Sequence, residues 1–366
     1  MTAINRNRNH NEAPLVASDA VNEASRIHSR PRTAILIIVG GLVALLLSVA
    51  LSVSFGAADI RFATVWEAIF HHNQHQQLTQ HQITQHQIIL ELRLPRVLGC
   101  ALVGSSFAVA GAIMQGMTRN PLADSGLIGL NSGAGFALAV CFAFFPGLPY
   151  LYLILFSFAG AAISAALVFA MGSLAKGGLT PIRLVLAGVT LSALLTALSE
   201  GIALYFRIGQ NLAFWYAGGV AGTRWLHLKI MSPWIAAALI GAIMLSRSIT
   251  LLSLGEDVAR GLGLRSGFVK LAGTIIVVIL AGSAVSAVGA VSFIGLLVPH
   301  LARKLVGMDY RWIIPSSAVL GALFVILADL AARTVNSPTE TPIGALIAII
   351  GVPFFLYLAN QERREL

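Results

Sequence analysis

Long apolar stretches separated by short polar ones set the pattern of the chain. A bilayer core of ~30 Å is crossed by about 20 apolar residues in a helix. Ten runs are candidate spans on that measure: 33–54, 93–117, 123–143, 149–173, 181–206, 229–248, 266–291, 294–306, 311–333 and 341–359. The run 294–306 is short for a full crossing and fits only if other helices bury it. Residues 1–32 are polar and carry Arg6, Arg8, Arg26, Arg30 and Arg32, as a disordered cytoplasmic tail would. A cleaved leader competes with that reading, but 33–54 is longer than an apolar leader segment of about 7–15 residues. The expected organisation is a polytopic domain over 33–360 and a second cytoplasmic tail over 361–366.

Composition agrees. Of 366 residues, 57% are hydrophobic and 11% charged, against roughly 25% charged in soluble domains. An ordinary soluble enzyme, a disordered chain, a collagen-like repeat and a disulfide scaffold are excluded. The net charge of +9 is spread between the apolar runs rather than gathered into a nucleic-acid patch. With the N-terminus inside, 17 of the 24 Lys and Arg fall on cytoplasmic segments, which supports ten spans with both termini cytoplasmic. Arg207, Arg224 and Lys229 run against that trend, so 207–228 is the least secure stretch. Cys100 and Cys141 lie inside apolar runs, as packing residues do.

A shift of 178 residues pairs Gly104-Ser105 with Gly282-Ser283, Gly111-Ala112 with Gly289-Ala290, Pro121 with Pro299 and Gly129 with Gly307. The expected fold class is therefore all-α integral membrane, about ten transmembrane helices in two five-helix inverted repeats, a transporter design. Glu200 and Asp329 fall near the outer ends of their spans, and Asp329 can pair with Arg333 four residues on. Mid-membrane charge marks ion pathways, and none is evident, which disfavours an ion-coupled carrier. The chain holds no G-x-x-x-x-G-K-[S/T] phosphate loop, no H-E-x-x-H and no nucleophile elbow. Energy for active transport has to come from a partner.

Six motifs in order then point to a family. They are Leu92-Arg93-Leu94-Pro95-Arg96, Arg119-Asn120-Pro121-Leu122-Ala123, Leu254-Gly255-Glu256-Asp257-Val258-Ala259-Arg260-Gly261-Leu262-Gly263-Leu264, Phe293-Ile294-Gly295-Leu296-Leu297-Val298-Pro299-His300, Ala328-Asp329-Leu330-Ala331-Ala332-Arg333 and Glu340-Thr341-Pro342-Ile343-Gly344. Together they resemble the FecCD-type permeases, the membrane subunits of type II ATP-binding-cassette importers for iron–siderophores, haem and cobalamin. The resemblance covers about 33–360 and implies a non-enzymatic bacterial cell-membrane subunit. It implies pairing with a second copy or a paralogue, two cytoplasmic ATPase copies and an extracytoplasmic substrate-binding protein, with no cofactor. Iron(III)–siderophore is the expected cargo, with haem or cobalamin as alternatives.

Residue roles follow from the same resemblance. Leu254, Gly255, Glu256, Asp257, Ala259, Arg260, Leu262 and Gly263, within the cytoplasmic loop 249–265, would couple to the ATPase. Glu256 and Asp257 suit the positive end of a short helix opening there. Arg93, Arg96 and Arg333 would dock the binding protein through charge-assisted pairs; the competing readings are interfacial snorkelling and, for Arg333, the pair with Asp329. Asn120, Leu122 and Thr180 would form the cytoplasmic gate, although Asn120-Pro121 also reads as a helix stop. His300 fits a hydrogen-bonded structural histidine better than a ligand. The outer segment 71–87, HHNQHQQLTQHQITQHQ, holds His71, His72, His75, His81 and His86 and is longer than the family's usual loop. Its irregular spacing favours a solvated insertion over a metal site.

Overall fold

The computed structural model describes residues 30–55, 65, 80–174, 181–335 and 341–362, all helix or connection among the described residues. The tail before Arg30, His71, His72, His75, Lys176, Thr180, Glu340 and 363–366 lie outside them. The helices are α1 (Pro31–Ser54), α2 (Gln80–Gln87), α3 (Leu94–Thr118), α4 (Leu130–Phe144), α5 (Tyr150–Leu174), α6 (Pro181–Tyr205) and α7 (Gly209–Ala217). They continue as α8 (Trp225–Ser253), α9 (Glu256–Gly261), α10 (Ser266–Val288), α11 (Ile294–Val306), α12 (Tyr310–Thr334) and α13 (Ile343–Glu362). Among the described residues, seven helical stretches are long and apolar enough to cross a membrane. Their outward side chains are greasy, with Leu36 72% and Met244 79% exposed, as lipid-facing positions require. This is an all-α multi-pass membrane protein.

α3 is the central helix, packed against α8, α10, α11 and α12. Its small residues permit this. A Cβ on Gly111 would overlap the backbone of Gly295 on α11, and one on Gly104 the carbonyl of Gly321 on α12. Such contacts between backbones replace hydrophobic driving force as the glue of membrane helices. Cys100 and Cys141 are buried and unpaired, as packing residues.

Several span edges move. The run expected from 93 begins at Gln80, because α2 passes into α3 through a π-helical turn, Ile88–Arg93. The Leu94 N–H bonds the Ile89 carbonyl five residues back. That wider turn lets the Pro95 ring, which clashes with the carbonyl four residues back in a regular α-helix, follow without breaking the rod. The expected span at 123 starts instead with a 3₁₀ turn, Ser125–Ile128, ahead of α4, and the one at 229 opens at Trp225 and runs to Ser253. The stretch 207–228 contains the short α7. Residues 361 and 362 continue α13. At the 178-residue offset the two prolines differ in setting: Pro121 sits in the turn after α3, whereas Pro299 lies inside α11.

We call the end holding the N-terminus of α1 the lower end. There the Arg30 N–H bonds the Val306 carbonyl (3.0 Å). The Tyr310 N–H bonds Thr250 Oγ1 (3.0 Å), and Thr250 donates to Asp309 Oδ1 (3.3 Å). At the upper end the Trp225 indole donates to the Leu90 carbonyl (2.7 Å).

Candidate functional site: the two ends of the bundle

At the upper end the three arginines expected to dock a partner converge, but they turn inward. Arg96 reaches Asp329 with Nε (2.9 Å to Oδ1) and Nη2 (2.8 Å). Arg333 Nη2 reaches the other oxygen of Asp329 at 2.9 Å, the pair expected from spacing. Arg333 also donates to the Ser52 carbonyl (3.2 Å) and to Ser52 Oγ. Arg93 donates to the carbonyls of Val53 (2.7 Å) and Ser54 (2.8 Å). These are the orphan acceptors of a helix C-terminus, so the guanidiniums cap α1 where its own ladder ends. Asp329 is fully buried, and the arginines are only 7–9% exposed. Of the competing readings, the pair of Arg333 with Asp329 is present, and all three arginines are engaged inside the bundle. The cluster thus gathers three guanidiniums around the Asp329 carboxylate.

At the lower end α9 stands out as a short peg. Gly255 opens it at φ 131° and Gly263 closes it at φ 82°, conformations that glycine adopts without a Cβ clash. Ala259 is buried, while Val258 (44% exposed) and Leu262 (62%) point outward. Glu256 does not simply cap the peg. It accepts from Lys270 Nζ (2.7 Å), Arg260 Nη2 (2.8 Å) and Ser266 Oγ (3.1 Å), tying α9 to the first turns of α10. The hydrogen bond from Lys270 holds its carboxyl below the usual range, with Ser266 and Arg260 assisting. Sequence reasoning missed Lys270 and Ser266 because they lie a turn and a loop away.

Beside the peg, Asn120 Oδ1 accepts from the Leu122 N–H (2.8 Å). Arg119 ends α3 in the left-handed region at φ 54°. The turn expected for Asn120-Pro121 is therefore present; Thr180, the third proposed gate residue, lies outside the described residues. Gln115, which carried no sequence signal beyond ending a Gly-rich run, is buried in a bridge. It donates to the Gly295 carbonyl (3.2 Å) and accepts from Arg303 (2.7 Å). Of the readings for His300, the hydrogen-bonded one is not met: its ring sits against Phe354 and has no hydrogen-bond partner among the described residues. His86 is buried, so the C-terminal end of the His/Gln segment is part of the helical rod rather than a solvated insertion. No group of three or more metal-binding side chains occurs among the described residues.

Residues 31–361 match the FecCD transport family. The chain belongs to that family. It is 52% identical over 350 residues to the iron(3+)-hydroxamate import system permease FhuB of Bacillus subtilis, covering 96% of this chain and 88% of that protein. It is 38% identical to the ferric enterobactin permease FepD of Escherichia coli, covering 91% and 97%. A solved inward-facing metal-chelate type ABC transporter superposes with a TM-score of 0.76 at 28% identity, covering 89% of this chain and 99% of that one. As a family member the chain is a transport permease and not an enzyme. FecCD-type systems generally pair such a permease with an ATPase and a binding protein.

Proposed function

We propose that the chain is the permease subunit of an ATP-driven bacterial importer whose cargo is an iron(III)–siderophore of the hydroxamate class. The observation that carries the cargo is its identity to the hydroxamate-system permease along nearly the whole chain. Haem is the runner-up, because a hemin-system permease of Yersinia pestis is 35% identical. Two permeases, self-paired or with a paralogue, enclose the path. Two ATPases seat on the peg 254–263 from the cytoplasm, and the exposed Val258 and Leu262 are an apolar tip suited to a groove. Asn120, Leu122 and Thr180 close the path at that end.

The binding protein docks at the upper end over Arg93, Arg96 and Arg333. Guanidiniums gathered at one end of the bundle suit an acidic partner through charge-assisted pairing. The working topology is ten spans in two inverted five-helix repeats with both termini in the cytoplasm, and 33–360 is one permease domain. Reciprocal packing supports it: α3 packs on α11 and α12, while α10 packs on α4 and α5.

Uptake of a ferric trihydroxamate by cells carrying this permease, with and without the partner ATPase, tests the reading. ATPase-dependent iron accumulation is expected. Uptake that persists without the ATPase points to an ion-coupled carrier and overturns it, and uptake of hemin but not of the hydroxamate moves the cargo to haem.

A further inference from the structure

Helix α10 stops at Val288 and α11 begins at Ile294, and the five residues between them are not helical. This break lies inside the bundle. Its upper end is held where the Val288 carbonyl accepts from the Gly219 N–H (2.7 Å) and the Ala287 carbonyl from the Tyr150 hydroxyl (3.1 Å). Below it, Gly295 packs on Gly111 of α3. Gly111 stands ~26 Å from the start of that helix and ~10 Å from its end at 1.5 Å per residue. The break also runs down α13. The Ala290 carbonyl is 3.7 Å from the Cβ position of Gly344, whereas Phe293 packs on Gly351, about 10 Å lower.

Backbone at such depth needs partners, because hydrocarbon offers none. Among the described residues the amides of Ala290, Val291 and Ser292 donate to no protein acceptor. Val291 is buried but Ser292 is exposed, so the strip presents a hydroxyl beside unpaired amides. Nearby, the buried indole N–H of Trp215 also lacks an acceptor among the described residues. Gly289 lies against the carbonyl of the same residue. Irregular backbone survives at this depth only where protein buries it or where it lines a water-filled cavity, and the exposed Ser292 favours the second.

We propose that residues 289–293 line the conduit itself, and that their amides are the surface past which a hydrated, oxygen-rich chelate moves. This rests on the permease reading above and adds the chain's own contact surface for the cargo. Neutral amides exchange hydrogen bonds with water and with carbonyl-type oxygens, but supply no charge that would trap a cargo.

The test is a Ser292→Cys permease in the assembled importer, treated with a charged, membrane-impermeant thiosulfonate. The parent is the blank because Cys100 and Cys141 are buried. Leu46→Cys, on the exposed apolar face of α1, is the lipid-facing control. Thiolate, not thiol, reacts and forms only in water, so Ser292→Cys should label more than an order of magnitude faster than Leu46→Cys. The adduct should block ferric trihydroxamate uptake. Ala290→Cys, two residues earlier in the strip, serves if Ser292→Cys does not assemble. Labelling no faster than the control, or a fully labelled importer that still transports at the parent rate, overturns the proposal. If the cysteine labels while the unmodified parent takes up no hydroxamate, the cargo assignment has failed and the lining has not.

Discussion

Replacing Asp329 with Asn removes one charge and almost no volume from the centre of the upper cluster. Asp329 is fully buried and holds Arg96 and Arg333 at 2.8–2.9 Å. Its loss takes from two guanidiniums, each under a tenth exposed, the carboxylate they share. Breaking a buried pair from one side costs about 3–5 kcal/mol, because the remaining charge is desolvated and uncompensated. The same argument predicts relief when the partner goes too. The Arg96→Met/Asp329→Asn double variant should cost about 1–3 kcal/mol less than the sum of its singles, as coupled neighbours do. Equilibrium unfolding in mixed micelles of rising dodecyl sulfate fraction, followed by helical circular dichroism, measures both quantities. An Asp329→Asn loss within about 1 kcal/mol of the parent, the value of an exposed pair, or additive singles, would refute the reasoning.

Other predictions concern docking, the peg and the core. Arg96→Glu would set a carboxylate against Asp329 and lose the fold along with docking, so the informative variant is the swap Arg96→Asp/Asp329→Arg. It should keep the helices together while altering binding-protein affinity in a sedimentation assay, and unchanged affinity counts against docking at this cluster. Glu256 has a lowered pKa from Lys270 first, so its hold on the peg is complete above the ordinary carboxylate range. It is lost as pH falls through the depressed folded value. Amide-exchange protection over 256–263, corrected for intrinsic rates, should drop in that acid window, and Glu256→Gln should show the same drop at pH 7. Gly111→Val forces α3 and α11 apart and should abolish monodisperse protein in detergent; a normal elution profile would show that the contact yields easily.

Much of the fold could be read along one dimension. Spans such as α1, α6 and α10 are uniform apolar runs, bounded by Arg30 before α1, Arg207 after α6 and Gly289 after α10. That information is local, because a helix in lipid satisfies its own backbone. The Asp329–Arg333 pair was equally local, four residues apart on one face. The motif order in 92–96, 119–123 and 254–264 carried the family.

What the tertiary structure alone decided is where partners come from distant segments. Arg96 and Asp329 are separated by 233 positions, and no periodicity brings them together. Packing of α3 against α12 does so, and it sets Arg93 and Arg333 on the carbonyls at the end of α1. Glu256 found Lys270 only once the peg folded back on α10, and Gln115 found Arg303 only across the Gly111–Gly295 contact. The break at 289–293 stayed hidden because its residues are as apolar as a helix. Composition reports what solvent a segment tolerates, but the choice between coil and helix there was made by the neighbours that surround it.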